Sequence, residues 1–303
     1  KFREVKAFCD SFTVLRRGRV TGRGDAAAAS VAEMSRMMIG ETELRERAPR
    51  RNRAAPQPRL TLDGVCAADE TGRHVVEGVS LSIGAGEIVG IAGVSGNGQS
   101  ALVEVLAGQR PMTGGSLSVD GAPFSPRRAD LDRFRVFGLP EEPLRNAVVP
   151  RMSVAENIAF RRFDKPPLAG RLGLISPARL RAEGEDLIRR YNVRTSSADA
   201  PIETLSGGNV QRAVLARELS GEVDVLIVAN PCFGLDFASV AEIRAQIMDQ
   251  RNRGAAVLLI SEDLDEILEL SDRIAVMSEG RLGPAQPVET TDRAEIGRRM
   301  GGH

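Results

Sequence analysis

Eight consecutive residues, Gly93-Val94-Ser95-Gly96-Asn97-Gly98-Gln99-Ser100, have the make-up of a turn that grips a phosphate. They follow an apolar run, Ile88 to Ala92, and open a stretch of helical spacing, Gln99 to Leu106. Glycines let the backbone curl until successive N–H groups face one anion, and the partial positive charge of a helix N-terminus adds to the attraction. The run fits G-x-x-x-x-G-K-[ST] except that Gln99 stands where the lysine belongs. A lysine would bring a full charge to the β- and γ-phosphates, whereas the amide of Gln99 only donates hydrogen bonds. Ser100 supplies the hydroxyl of the pattern, which could reach a Mg²⁺ ion, and Ala101 carries the loop into the helix. Taken alone, the run could also be a glycine-rich turn with no ligand.

A second anion cradle lies 105 residues further on, in Leu205-Ser206-Gly207-Gly208-Asn209-Val210-Gln211-Arg212. Ser206 and the amides of Gly207 and Gly208 would sit at a helix N-terminus, where free N–H groups attract an anion. A serine cap before a glycine turn accounts for these residues locally, but not for their distance from the first loop. The string resembles the signature motif of ATP-binding-cassette ATPases. That resemblance implies that Leu205, Ser206, Gly207, Gly208, Asn209 and Gln211 act on the γ-phosphate of an ATP held by an opposite domain. It also assigns Gly93 to Ala101 to nucleotide binding, with ATP and Mg²⁺ as cofactors, the metal mainly at the partner site.

Against the family pattern the chain departs at one place. Ala229 and Asn230 close the apolar run Val225-Leu226-Ile227-Val228 where the family has Asp-Glu, so the Mg²⁺-linked aspartate and the glutamate that polarises water are missing. An amide cannot act as a general base, an effect worth about 10² to 10⁴ in rate. Glu262 stands at the family's switch histidine, and Glu141, in Gly138-Leu139-Pro140-Glu141-Glu142, at its glutamine. Between Asp69 and Val75, where the family stacks an aromatic on adenine, none is found; such stacking is worth about 1–3 kcal/mol. Asp236, in Gly234-Leu235-Asp236, matches the D-loop that crosses to the partner, or else merely caps the next helix. No catalytic residue is therefore intact, and this copy is expected to lend its signature to a neighbour's site.

Apolar strands alternating with amphipathic helices must position these groups. The spacing predicts strands at Leu60–Leu62, Val75–Ile83, Ile88–Ala92, Ser116–Val119, Val136–Leu139, Val225–Val228 and Ala256–Ile260. Helices are predicted at Gln99–Leu106, Ser153–Phe160, Ala178–Tyr191, Gly208–Leu219, Ser239–Gln250 and Leu264–Leu270. This is an α/β pattern with a mainly parallel sheet. The resemblance adds a P-loop NTPase-like fold, an antiparallel β subdomain and an inserted helical lobe at about 140–205.

The chain also repeats itself. At a constant offset of 262, residues 1–40 align without a gap to residues 263–302, with ten identities including Glu4/Glu266, Asp10/Asp272, Val14/Val276, Gly18/Gly280 and Met38/Met300. Residues 1–40 are accordingly read as the tail of a first cassette, 41–59 as an Arg-, Ala- and Pro-rich linker, and 60–303 as a complete second cassette. On this reading the chain begins mid-domain, one residue after the first copy's switch position.

Composition constrains partners little. Formal charge is zero, with 41 basic and 41 acidic residues, so nucleic acid is not an expected partner. Cys9, Cys66 and Cys232 show no paired spacing, which argues against a disulfide framework or zinc site and fits a reducing cytosol. The longest apolar runs, such as Ala255 to Ile260, fall far short of the roughly 18 residues a spanning helix needs, and no signal peptide is evident.

The loop with its glutamine, the PEE segment and LSGGN-Q together resemble the tandem ATPase subunits of bacterial simple-sugar and nucleoside importers. This implies as partners the preceding cassette, a second copy of the subunit, polytopic permease subunits and, indirectly, a periplasmic or lipoprotein solute-binding protein. It places the chain peripherally on the cytoplasmic side of the membrane. Competing readings are a structural or regulatory cassette that binds no nucleotide, a soluble tandem-cassette factor acting on ribosomes or DNA, and a decayed gene fragment.

Overall fold

Polar and apolar residues alternate along the first segments, and the chain answers with a one-sided ribbon. The computed structural model describes residues 2–16, 18–30, 33, 34, 37, 57–170 and 172–300. Helix α1 (Phe2–Phe8) leads into β1 (Ser11–Arg16) and β2 (Arg19–Asp25), which pair antiparallel with Val14 turned inward. Most of the expected linker, 41–56, lies outside the described residues.

Two long strands follow, β3 (Pro58–Ala68) and β4 (His74–Gly84), with buried residues on alternate positions as one covered face requires. The spacing in sequence predicts only Leu60–Leu62 for the first of these. Instead the pairing shifts register between Leu62 and Val65, and the strand continues past this bulge to Ala68. The fully apolar β5 (Ile88–Ala92) then passes through a loop into α2 (Gln99–Leu106). Next come β6 (Gly114–Val119), the short β7 (Ala122–Pro123), α3 (Arg128–Arg133) and β8 (Val136–Leu139).

The middle of the chain is helical: α4 (Pro143–Asn146), α5 (Val154–Ala159), α6 (Pro177–Arg190) and α7 (Gly207–Leu219). Ser153 and Glu156 close α5 with a capping box, which fixes where the lobe begins. Val154, Ile158, Leu187, Ile202, Val210 and Ala213 form its own apolar core, so the lobe packs on α7 rather than floating as an insertion. After it come β9 (Val225–Ala229), α8 (Phe237–Arg253), β10 (Ala256–Ser261), α9 (Leu264–Leu270), β11 (Arg273–Ser278), β12 (Arg281–Leu282), β13 (Gln286–Pro287) and α10 (Arg293–Met300).

The strands form two further sheets. In one, β11-β5-β10-β9-β8 run parallel, with β12 and β13 antiparallel to β11. Its central strands β5, β9 and β10 are buried at every residue, as a sheet covered on both faces demands. The other is antiparallel, in the order β4-β3-β6-β7. The fold is thus the mixed α/β architecture expected, with parallel sheet, antiparallel subdomain and helical lobe.

The repeat extends into the hydrogen bonds. Shifted by 262, α1 overlies α9 and β1 overlies β11 residue for residue. The pairs Ser11↔Asp25, Phe12↔Gly24, Leu15↔Val20 and Arg16↔Arg19 overlie Arg273↔Pro287, Ile274↔Gln286, Met277↔Leu282 and Ser278↔Arg281. The bond from Ala26 N–H to the Asp10 carbonyl likewise overlies that from Val288 N–H to Asp272.

Candidate functional site

The glycine loop joins the carboxyl end of the central strand β5 to α2, where ligands bind in open parallel sheets. Gly98, the N-cap of α2, has φ 102°, and a Cβ there would fall 2.4 Å from the Val75 carbonyl oxygen. No other residue fits this turn. Asn97 ties the loop to the β11–β12 turn: its carbonyl accepts from Gly280 N–H at 3.0 Å and its Oδ1 from Glu279 N–H at 3.1 Å. Val94, Ser95, Gly96 and Ser100 are exposed, whereas Gln99 is 8% exposed. The Gln99 amide Nε2 donates to the Val94 carbonyl at 3.1 Å, so the side chain at the lysine position crosses its own loop.

A cavity of about 120 Å³ opens beside this loop, walled by Gly93, Ser95, Gln99 and Ser100, by Glu141, by Ala229 and Asn230, and by Ser261 and Glu262. Residues scattered over 170 positions of sequence therefore meet, because β5, β8, β9 and β10 all end there. Asn230 adopts a left-handed φ of 44°, a conformation that asparagine tolerates better than most side chains. Its N–H donates to the Ile260 carbonyl at 2.8 Å, and its Oδ1 accepts the N–H of Glu262 at 2.9 Å. Glu141 is half-buried, and its carbonyl accepts from Asn146 Nδ2 at 2.7 Å.

On the other flank of the loop a groove of about 1070 Å³ is lined by Gly96, Asn97, Gly98 and Ser100 together with Arg73, His74 and Arg281. The sequence reading found no aromatic between Asp69 and Val75. No Phe, Tyr or Trp is present, but the imidazole of His74 lies in this groove. The signal was the preceding turn: Asp69 Oδ1 accepts the N–H groups of Thr71 and Arg73 and the Thr71 hydroxyl, which starts β4 at His74. The Thr71 hydroxyl, aided by those backbone N–H groups, holds the Asp69 carboxyl below the usual carboxylate range.

The signature residues do not line that cavity. Ser206 and Gly207 are exposed at the N-terminus of α7, where a helix leaves its first N–H groups without intrahelical acceptors. Ser206 Oγ caps no backbone N–H and accepts instead from Asn209 Nδ2 at 2.9 Å. Gly208 and Asn209 are half-buried behind it, and Leu205 packs against the apolar core of the lobe. Gln211 departs from the expectation that it faces a neighbour: it is 4% exposed and its Nε2 donates to the Pro231 carbonyl at 2.8 Å. The 3.6-residue period turns Gln211 inward, so it fastens α7 to the end of β9. Asp236 caps α8, accepting from Ser239 N–H at 3.1 Å and from Ser239 Oγ at 2.7 Å, and remains exposed.

The residues present fit a nucleotide's phosphates, for the glycine turn admits no Cβ at Gly98 and is backed by a helix N-terminus, with only the Gln99 amide lying across it. They offer Mg²⁺ a thinner set of hard oxygen donors, the Ser100 hydroxyl with the carboxylates of Glu141 and Glu262, since Ala229 carries none. No helix among the described residues is long and apolar enough to cross a membrane.

Comparison with known proteins converges on one family. A sequence model of the ABC transporter family matches residues 76–232. The chain is 40% identical, over all of its length, to 55% of the glucose import ATP-binding protein TsgD13 of Haloferax volcanii. It is 36% identical, over 97% of its length, to 58% of the guanosine import ATP-binding protein NupO of Bacillus subtilis. The chain thus spans little more than half the length of the relatives it matches. Among solved structures, cbiO1 of Clostridium perfringens, part of the cbiONQ complex, aligns with TM-score 0.61 at 23% identity, covering 82% of this chain and 96% of that one. The ATP-binding cassette MJ0796, a dimer bound to ADP and Pi, aligns at 0.62 and 19% identity over 76% and 98%. At these identities the structures speak to the fold.

Proposed function

The chain belongs to the ABC transporter family, and from that premise we propose that it is the ATP-binding part of an importer for a simple sugar or nucleoside, with its own nucleotide site degenerate. Glucose and guanosine import are what the two relatives are named for. The solute class follows from that likeness and from the resemblance of the loop and signature.

The observation that carries the reading is an asymmetry. The signature Ser206-Gly207 is exposed at a helix N-terminus, while the cavity at the chain's own phosphate loop has Gln99, Ala229, Asn230 and Glu262 where lysine, an acidic pair and histidine would work. Ser206, Gly207, Gly208 and Asn209 would serve an ATP held by a preceding cassette of the same polypeptide. The matched register of β1–β2 with β11–β12 and β13 supports such a second copy. At the degenerate site the backbone of Gly93 to Ala101 would hold ATP, with Ser100 turned toward Mg²⁺. The ion's chemistry there would be charge neutralisation on the phosphates, with no carboxylate in place of Asn230 to activate water. Permease subunits, a second copy of the ATPase and a solute-binding protein complete the assembly, on the cytoplasmic face of the membrane.

The reading predicts negligible Mg²⁺-dependent ATP hydrolysis by residues 1–303, and robust turnover would overturn it. A second reading, a cassette that binds no nucleotide, gains support from the Gln99 amide lying across its loop. Equilibrium binding of a fluorescent ATP analogue separates the two, with Gly98→Asp as the control that abolishes a true P-loop site.

A further inference from the structure

Arg212 is 6% exposed, an unusual place for a guanidinium, and every arm of it is used. Its Nε donates to Glu242 Oε2 at 3.0 Å, which balances the buried charge. Its Nη1 donates to Asn209 Oδ1 at 3.3 Å, and Asn209 Nδ2 in turn donates to Ser206 Oγ at 2.9 Å. Its Nη2 donates to Ser239 Oγ at 3.2 Å, and that hydroxyl donates to Asp236 Oδ2 at 2.7 Å. One planar group therefore reaches Ser206 through one intermediary and Asp236 through another.

The two elements also touch. A Cβ on Gly208 would lie 3.1 Å from Ser239 Oγ and 3.7 Å from Leu235 Cδ2, so the first turn of α7 is already seated on the loop and first turn of α8. Ser239 is 1% exposed and has no water to fall back on. Lysine could match the charge of Glu242, but a single ammonium on a flexible stem lacks the rigid fork that spans Asn209 and Ser239 together.

The structure assigns Arg212 as the positioning residue that sets Ser206 of the signature and Asp236 of the D-loop as one unit. The assignment rests on the reading of those two residues as contacts to another cassette's ATP. A neighbour's nucleotide would then meet both groups at a fixed spacing, and neither could shift without the other.

The test is ATP turnover by the full-length polypeptide in its assembled transporter, for Asn209→Ala, Ser239→Ala and the pair, each with and without Arg212→Lys. Melting temperatures are recorded alongside. Coupled through Arg212, the pair should lose less kcat than the product of the single losses by about threefold or more. KM for ATP should move less than about twofold, since binding is left to the other cassette's loop. In the Arg212→Lys background the coupling should vanish and the losses multiply. Multiplicative losses with Arg212 in place, or unchanged turnover in Arg212→Lys, overturn the assignment. If Arg212→Lys does not fold, the cycle with Arg212 intact decides alone. Ser206→Arg is the separate arm: unchanged turnover there sinks the cross-cassette reading itself, whereas lost turnover with independent Asn209 and Ser239 removes only the clamp.

Discussion

The amide oxygen of Asn230 accepts the backbone N–H of Glu262 at 2.9 Å, so the residues that follow β9 and β10 are bonded to each other. Asn230 does so from a left-handed backbone, φ 44°, that a glutamate would adopt less readily. The asparagine thus brackets the ends of β9 and β10 beside the glycine loop, donating its own N–H to the Ile260 carbonyl at 2.8 Å.

Asn230→Ala should accordingly destabilise the chain by about 1–2 kcal/mol, combining a lost hydrogen bond with a strained φ. Asn230→Asp, which keeps both the acceptor and the tolerance of that φ, should cost less than about 0.5 kcal/mol. Urea unfolding followed by circular dichroism measures both. Equal losses in the two variants would show that the bond to Glu262 contributes nothing.

At the phosphate loop the missing charge is the testable quantity. Gln99→Lys should tighten ATP binding by about tenfold or more, since hydrogen bonds to a charged group are worth about 1.5–3 kcal/mol. Titration calorimetry against the unmodified chain reads this directly. Hydrolysis should stay negligible in the same variant, for Ala229 and Asn230 are unchanged.

These residues were located by sequence because their spacing is fixed by strand ends. The α2 and α9 boundaries, Gln99–Leu106 and Leu264–Leu270, agree with the helical spacing, and β8 with its apolar run, each lying between unmistakable turns. Periodicity failed where the chain breaks its own pattern. The bulge at Asp63-Gly64 imitates a strand end, and the one-turn α4 and two-residue β7 are too short to show a period. Burial of Gln211 and Arg212 was likewise hidden, since polar residues read as surface until their partners Pro231, Glu242 and Ser239 are in place. His74, one of two histidines in the chain, carries no pattern of its own that would place it beside the glycine loop.

Beneath the helical lobe, Glu218 is 2% exposed between two arginines, its Oε1 accepting Arg217 Nε at 2.6 Å and its Oε2 paired with Arg161 Nη2 at 2.9 Å. Arg217 Nη1 reaches the Ala147 carbonyl at 2.7 Å, and Arg161 lies 4.9 Å over the Phe137 ring. The triad binds the lobe to β8 at the wall of a cavity of about 420 Å³. Glu218→Ala should cost about 3 kcal/mol, the low end for a broken buried pair, because Arg161 keeps part of its surface in water. Glu218→Gln, which still accepts from one arginine, should cost less. Chemical denaturation orders the two, and parity between them would show that the charge is immaterial.

The cysteines differ in a way that labelling can read. Cys9 is exposed, whereas the Cys232 thiol is half-buried beyond Pro231, and burial, reinforced by the nearby Glu266 carboxylate, pushes its pKa well above the ordinary thiol value of 9.0. The thiolate is the reacting form, so at pH 8 a thiol reagent should modify Cys9 promptly and Cys232 slower by at least about a hundredfold, at the rate of local opening. The same shift has a sign for stability. Folded Cys232 keeps its proton where the unfolded chain gives it up, so its contribution is complete below the unfolded value and declines as pH rises beyond it. Cys232→Ala should remove that part of the alkaline loss of stability seen between pH 8 and 10. An unaltered pH profile in Cys232→Ala, or prompt labelling of Cys232 in the folded chain, would show that this thiol is open to water.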